Sequence, residues 1–387
     1  MDVAQRLFQY REIVLGKLVK GQDREEWVRT ILMMIVGMIW GLYNPHQMAQ
    51  ELGVSPKEMY AALKQLSAGQ WRRMLERIME ETALERLREY AEASAAGKSR
   101  RQASLSVDDS VVRRYGREVL SYVWKWYSGQ SKSVVLGQDL LGIVVRIGPE
   151  IIPLRLVWVS KQGRASGKPA ALKKALSDLK TYFEGHGIDL TQLGLSLDSW
   201  WASHPVSEEL AALGFTKQVI AGKANLILET EDAGRHRLDA HRKQVELKPG
   251  WGHHTPANRL VGDNPTFGRL PVVFVIHPRS KVFALLLPAR PLRRCEALRI
   301  WAAHHAIETL WKRLKQWLGL GQMQARDCQG AWAGLALHTL AYLFALPFLT
   351  SNHTTLAQLA HTWHRQATFA EFVREHFHPD QFGCPSI

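Results

Sequence analysis

LSVDDSVV at 105–112 and LGLSLDSWW at 193–201 decide how this chain folds. Apolar and polar residues alternate in both, and a period of two is the period of a strand. In the first, Leu105, Val107, Asp109 and Val111 share one face, while Ser106, Asp108 and Ser110 share the other. Asp108 is thus the acid on the polar side. In the second, Leu193, Leu195 and Leu197 point one way, and Ser196 and Asp198 the other. Asp198 falls at the C-terminal end of its strand, where α/β sheets bind ligands. Either Asp alone would equally suit a turn or a strand-end cap.

A third acid gives the pair its meaning. In WAAHHAIETLWKRLK at 301–315, a helix turning about 100° per residue collects Ile307, Leu310, Trp311, Leu314 and Leu318 into one apolar stripe. Trp301, His304, Glu308 and Lys315 form a second stripe about a quarter-turn away. That is the rim between core and solvent, from which a carboxylate reaches a cleft floor. Asp108, Asp198 and Glu308 are enough oxygen donors for two Mg²⁺ ions, with Mn²⁺ able to substitute. Such a pair activates a water or a 3′-hydroxyl and stabilises the leaving oxygen of an in-line displacement at phosphorus. Lys315 and His304 stand where a cation would stabilise phosphate charge.

Around these motifs the chain changes texture. Residues 1–95 have helical periodicity and read as an all-α domain. Within it, PHQMAQELGVSPKEMYAALKQL has a short helix, a turn containing Gly53, and a second helix with Ser55 as N-cap, Pro56 at the first position and Glu58 completing a capping box. This is either a helix-turn-helix, presenting Lys57, Tyr60 and Lys64 outward, or a plain αα-hairpin. Residues 96–103 are a basic linker. Residues 104–214 carry three β-rich runs, two of them joined antiparallel through Gly148-Pro149, then a helix and a fourth strand ending at Asp198, which makes an α/β layer. Residues 215–295 return to β, through FTKQVIAGKANLILET, HRKQVELK and the hairpin PVVFVIHPRSKVFALLLP, and read as a β-rich insertion. Residues 296–350 are helical, and 351–387 form a helical tail in which a zinc site built from His361, His364, His376, His378 and Cys384 matches no standard spacing. GRASGKP at 163–169 is no phosphate loop, since its glycines are one residue too close and Lys168 precedes Pro169.

Composition narrows the partner. The 387 residues are 46% hydrophobic, ordinary for a globular protein, but carry a net charge of +14, which suits a polyanionic partner, either nucleic acid or an anionic membrane surface. The long apolar run at 31–43 is too short to span a bilayer and reads as a buried helix. No secretory leader is apparent, and Cys295, Cys328 and Cys384 form no framework. A cytoplasmic, nucleoid-associated protein of a bacterium or archaeon, with no membrane partner, is expected.

With these motifs the chain resembles the DDE transposases of insertion sequences, of the cut-and-paste kind with an RNase H-like catalytic core. The family's first Asp is followed two residues later by Ser or Thr, as in Asp108-Asp109-Ser110, and its second lies in an apolar strand before an aromatic, as in Leu197-Asp198-Ser199-Trp200. Its third motif has Tyr, Arg, Glu and Lys at the spacing held here by Trp301, His304, Glu308 and Lys315. The resemblance covers about 104–350. It implies a mixed sheet flanked by helices, with Asp108, Asp198 and Glu308 as catalytic metal ligands, and Trp301, His304 and Lys315 contacting DNA. It further implies that Lys223, Arg242, Lys243, Trp251 and Arg279 of the insertion contact DNA, that the N-terminal domain binds terminal inverted repeats, and that a homodimer pairs two ends of double-stranded DNA before joining them to target DNA. Related readings are a domesticated nuclease or resolvase, and a DNA-binding regulator that does not cut.

Overall fold

Strand β1 (Ala103–Arg113) is buried at each of its first five residues and begins to open at Asp108. A strand buried on both faces is a central strand, and the pairing bears this out. The computed structural model describes residues 3–16, 24–97, 102–114, 121–129, 131–162, 167–244, 259–276, 282–322, 326–351 and 354–377. After β1 come β2 (Val123–Ser128), β3 (Ser133–Ile147), β4 (Glu150–Trp158), β5 (Gly194–Leu197), β6 (Gln218–Ala221), β7 (Ile227–Thr230), β8 (Gly234–Arg237), β9 (Arg259–Asn264), β10 (Gly268–Ile276) and β11 (Val282–Leu286). These eleven form one mixed sheet in the order β2-β3-β1-β5-β6-β11-β10-β9-β7-β8, with β4 paired to β3. The fold is therefore α/β with helices flanking a mixed sheet.

The helices are α1 (Val3–Gly16), α2 (Arg24–Ile39), α3 (Pro45–Leu52), α4 (Pro56–Lys64), α5 (Ala68–Ala95), α6 (Lys168–Glu184), α7 (His204–Ala212), α8 (Leu238–Gln244), α9 (Arg294–Lys312), α10 (Cys328–Ser351), α11 (Leu356–Gln366) and α12 (Phe369–His376). The chain divides into two compact units. One holds Thr82–Asp109 and Leu141–Glu308, and the other Met1–Glu81, Ser110–Leu140 and Thr309–Ile387. These units cut across the boundaries read from the sequence, because the N-terminal helices group with the C-terminal ones.

In the first unit, β5 runs parallel to β1 with Ser104 opposite Gly194 and Ser106 opposite Ser196, and β6 runs parallel to β5. Parallel neighbours need crossovers, which α6 and α7 supply. The sharp β3–β4 turn has Gly148 at φ 60, as a two-residue hairpin needs. The expected hairpin near 271–288 is present, with Val272 opposite Leu286 and Ile276 opposite Val282. Since β11 pairs with β6, the β-rich region extends the same sheet. FTKQVIAGKANLILET is β as expected, carrying β6 and β7. One expectation is corrected: HRKQVELK opens as the end of α8, not as a strand, and its remainder lies outside the described residues.

The second unit is built on α2 and α10. Val28, Ile31, Leu32, Met34, Ile35, Val36 and Met38 of α2 are fully buried, as the apolar run at 31–43 predicts. The sequence reading passed over α10, whose length and apolarity would let it cross a membrane, yet 89% of its most apolar window is buried inside the protein. It is the core helix of this unit. Pro347 within it has no N–H to offer the Leu343 carbonyl, and Arg6 of α1 donates there instead at 2.8 Å. The α3–α4 pair matches helix-turn-helix grammar: Asn44 caps α3, Gly53 is left-handed at φ 66, and Ser55 caps α4. The Ser55 hydroxyl accepts from the Lys57 N–H, so the cap is not the Glu58 box expected. Between α9 and α10, residues Arg313–Trp317 form a π-helical turn, and β2, unforeseen, precedes β3.

Candidate metal centre

Three steps along β1, β5 and α9 assemble the acids. At the first, a side chain on Gly194 would place its Cβ 2.2 Å from Ile300 Cγ1, so only glycine lets α9 lie this close to the sheet. At the second, two residues on, Ser196 and Ser106 hydroxyls lie 2.9 Å apart, Ser106 donates to the Ala303 carbonyl at 3.1 Å, and His304 Nδ1 stands 3.2 Å from Ser196 Oγ. Two residues further on β1 comes Asp108, Asp198 follows directly on Leu197 at the end of β5, and one helical turn past His304 comes Glu308. Two strand residues rise about 6.6 Å and four helical residues about 6 Å, so the rails keep step.

The charges register this gathering. Burial pushes the Asp108 carboxyl well above the usual range, and Asp109, Asp198 and, more weakly, Glu308 push it the same way, against the Asp109 N–H. Burial also raises Asp198, opposed by hydrogen bonding from the Trp200 N–H and by the Lys168 charge. Asp198 caps the turn Ser199–Trp201, its Oδ1 accepting from Trp200 at 2.9 Å, so it is both strand-end cap and site acid.

Asp109, on the other face, meets a cation that sequence reasoning missed. Lys168 Nζ lies 2.5 Å from Asp109 Oδ2 and 4.8 Å from the centre of the Trp200 ring. The only sequence signal was that a Lys-Pro pair opens α6; the partner is 59 residues away.

The third motif behaves differently from the resemblance. His304 is 5% exposed, and burial drives its imidazole down to about 4 against the smaller pull of Glu308. It is a neutral packing residue, its ring stacked on Trp301 at 4.6 Å and 10°. Trp301 in turn packs against the core around Val219, Val273 and Ile300. Burial turns the His304 ring away from solvent, whereas Trp301 is only partly buried. Glu308 lies exposed with Oε2 2.8 Å from Nδ1 of His305, a neighbour the sequence reading overlooked. The continuous α-helical phase expected through Lys315 is broken by the π turn, where Leu318 N–H bonds to the Arg313 carbonyl, and Lys315 Nζ donates to the Val111 carbonyl at 2.7 Å.

Among the described residues, no three of His, Cys, Asp and Glu stand together at ion-holding distance, and Glu308 is turned to His305. The donor set nonetheless fits a hard divalent cation: Asp108, Asp198 and Glu308 bring three carboxylates, and Asp108 feels the other two. The His305–Glu308 pair lies in solvent, where such a pair is worth under about 1 kcal/mol.

Of the expected DNA contacts, Lys57, Tyr60 and Lys64 are exposed on α4, and Lys223 is exposed after β6. Arg242 and Lys243 fall on α8, whereas Trp251 and Arg279 lie outside the described residues. In the tail, His364 Nε2 is engaged with the Trp40 carbonyl at 3.1 Å, and His378 and Cys384 lie outside the described residues. No protein-family model matches this chain, and no curated protein sequence is similar to it.

Proposed function

We propose that this chain is a DNA transposase of the DDE kind, which binds the ends of a mobile element, cuts DNA and joins the freed 3′-hydroxyls to target DNA. The observation carrying this reading is the registered approach of Asp108, Asp198 and Glu308 at one end of β1, β5 and α9. The strand order β4-β3-β1-β5-β6, with the first Asp on its first strand and the second just past β5, supports an RNase H-like core.

Asp108, Asp198 and Glu308 would hold two Mg²⁺ or Mn²⁺ ions. Bound there, such ions supply an activated hydroxyl and a stabilised leaving oxygen. The chain itself supplies the rest. The Ser106–Ser196–His304 layer fixes α9 against the sheet, so that Glu308 hangs at the correct height. The exposed Lys57, Tyr60 and Lys64 of α4 suit an element end in the major groove. A net charge of +14 favours phosphate contacts, whose affinity falls steeply with salt. Joining both ends at once calls for a homodimer.

The test is a plasmid carrying the DNA that flanks this gene, incubated with protein and Mg²⁺, with EDTA, and with Glu308→Gln. Metal-dependent excision and joining that vanish in the variant support the proposal. Cutting without joining would make it a nuclease or resolvase, and salt-sensitive binding without cutting under any metal would make it a regulator.

A further inference from the structure

Lys168 is placed where a lysine is locally unfavourable. It opens the 17-residue helix α6, at the end where the helix dipole is positive and acids are preferred, and Gly167 before it gives no side-chain cap. Its side chain is only 9% exposed, so it also loses hydration. Two costs at one residue need a tertiary reason, which the Asp109 carboxylate and the Trp200 ring face provide. Trp200 is itself held by its backbone N–H on Asp198, and the Lys168 charge lowers the Asp198 carboxyl, so the lysine stands beside both strand-end acids.

We propose that Lys168 is a positioning residue, a resident counter-ion that binds Asp109 and thereby reserves Asp108, Asp198 and Glu308 for the divalent cations. This rests on the metal-dependent reading above. Without Lys168 the Asp109 charge, which acts on both Asp108 and Asp198, would stand unneutralised beside the ion ligands. With it, alternation along β1 and the ion pair act together: Asp108 faces α9, and Asp109 is neutralised at the start of α6. The lysine also offsets some of the repulsion at Asp198 before any cation binds.

The test is Mn²⁺ binding to the full chain without DNA, read by electron paramagnetic resonance of the free ion. Asp109→Asn should leave the Mn²⁺ affinity within about threefold, and Asp108→Asn should weaken it more than about tenfold. Lys168→Met should tighten Mn²⁺ about tenfold, because a buried positive charge leaves and a carboxylate is released, and adding Asp109→Asn should return the affinity to the wild-type range. Lys168→Arg, which keeps the charge, should bind as wild type. The two aspartate variants retain Lys168, so they decide the matter even if Lys168→Met fails to fold. Loss of Mn²⁺ in Asp109→Asn with binding kept in Asp108→Asn would overturn this assignment and leave the metal reading standing. A wild-type chain that takes up no Mn²⁺ would overturn both.

Discussion

One turn apart on the same face of α9, His304 and Glu308 occupy opposite media. His304 is 5% exposed, neutral and bonded to a serine, while the Glu308 side chain is 59% exposed and paired with a surface histidine. The helix does not cause the difference; the sheet beneath it does. Under Ile300 and His304 the strands offer Gly194, Ser106 and Ser196, small residues that let α9 settle and exclude water. At the next level stand Asp108 and Asp198 in place of the serines, and Asp198 and Glu308 both raise the Asp108 carboxyl. Close packing at one level thus positions an open, acidic level at the next.

The comparison breaks most plainly in the cutting assay. Glu308→Gln should lower DNA cleavage at least about a thousandfold, whereas His304→Gln should keep it within about tenfold, because His304 only holds the helix. Equal losses would put His304 in the chemistry and erase the distinction.

The next largest effect is on pH dependence. The native imidazole of His304 titrates at about 4, below its unfolded value, so between the two the unfolded chain takes up a proton that the native one refuses. Stability from this group is present above about 6.5 and lost towards pH 4, a fall of about 3 kcal/mol. Asp108, whose native carboxyl is raised, has the opposite sign: its proton stabilises at low pH and that gain is lost as pH rises. Urea unfolding of wild type and His304→Gln at several pH values isolates the histidine. A difference between the two proteins that is flat from pH 4 to 7 would mean an imidazole open to water.

A smaller effect tests the first step. Gly194→Ala should cost about 1–3 kcal/mol through overpacking on Ile300. Adding Ile300→Ala should recover more than about 1 kcal/mol by urea unfolding, since the two sites are in contact. Additive losses would deny that contact. Smallest of all, His305→Ala should change stability by under about 0.5 kcal/mol, as its pair with Glu308 lies in solvent.

What the sequence disclosed follows the range of each interaction. The outward face of α4 and the polar face of β1 depend on local periodicity, and Lys57, Tyr60, Lys64 and Asp108 lie where that periodicity puts them. The Asp109–Lys168 pair depends on tertiary folding, and neither segment marks it. HRKQVELK alternates like a strand, yet its first residues complete α8, with His241 Nε2 bound to the Leu228 carbonyl. Tertiary demand overrode local pattern there. A helical wheel assumes 3.6 residues per turn, and the π turn at Arg313–Trp317 departs from that pitch just where Lys315 lies.

The three steps that join β1, β5 and α9 also dictate what evolution is free to change. Two residues on each strand correspond to four on the helix, from Gly194 to Ser196 to Asp198 and from Ile300 to His304 to Glu308. One inserted residue in a strand would turn its acid to the opposite face, and one in the helix would swing Glu308 by about 100°. Descendants of this chain can exchange nearly every letter between these points, but they must inherit the intervals.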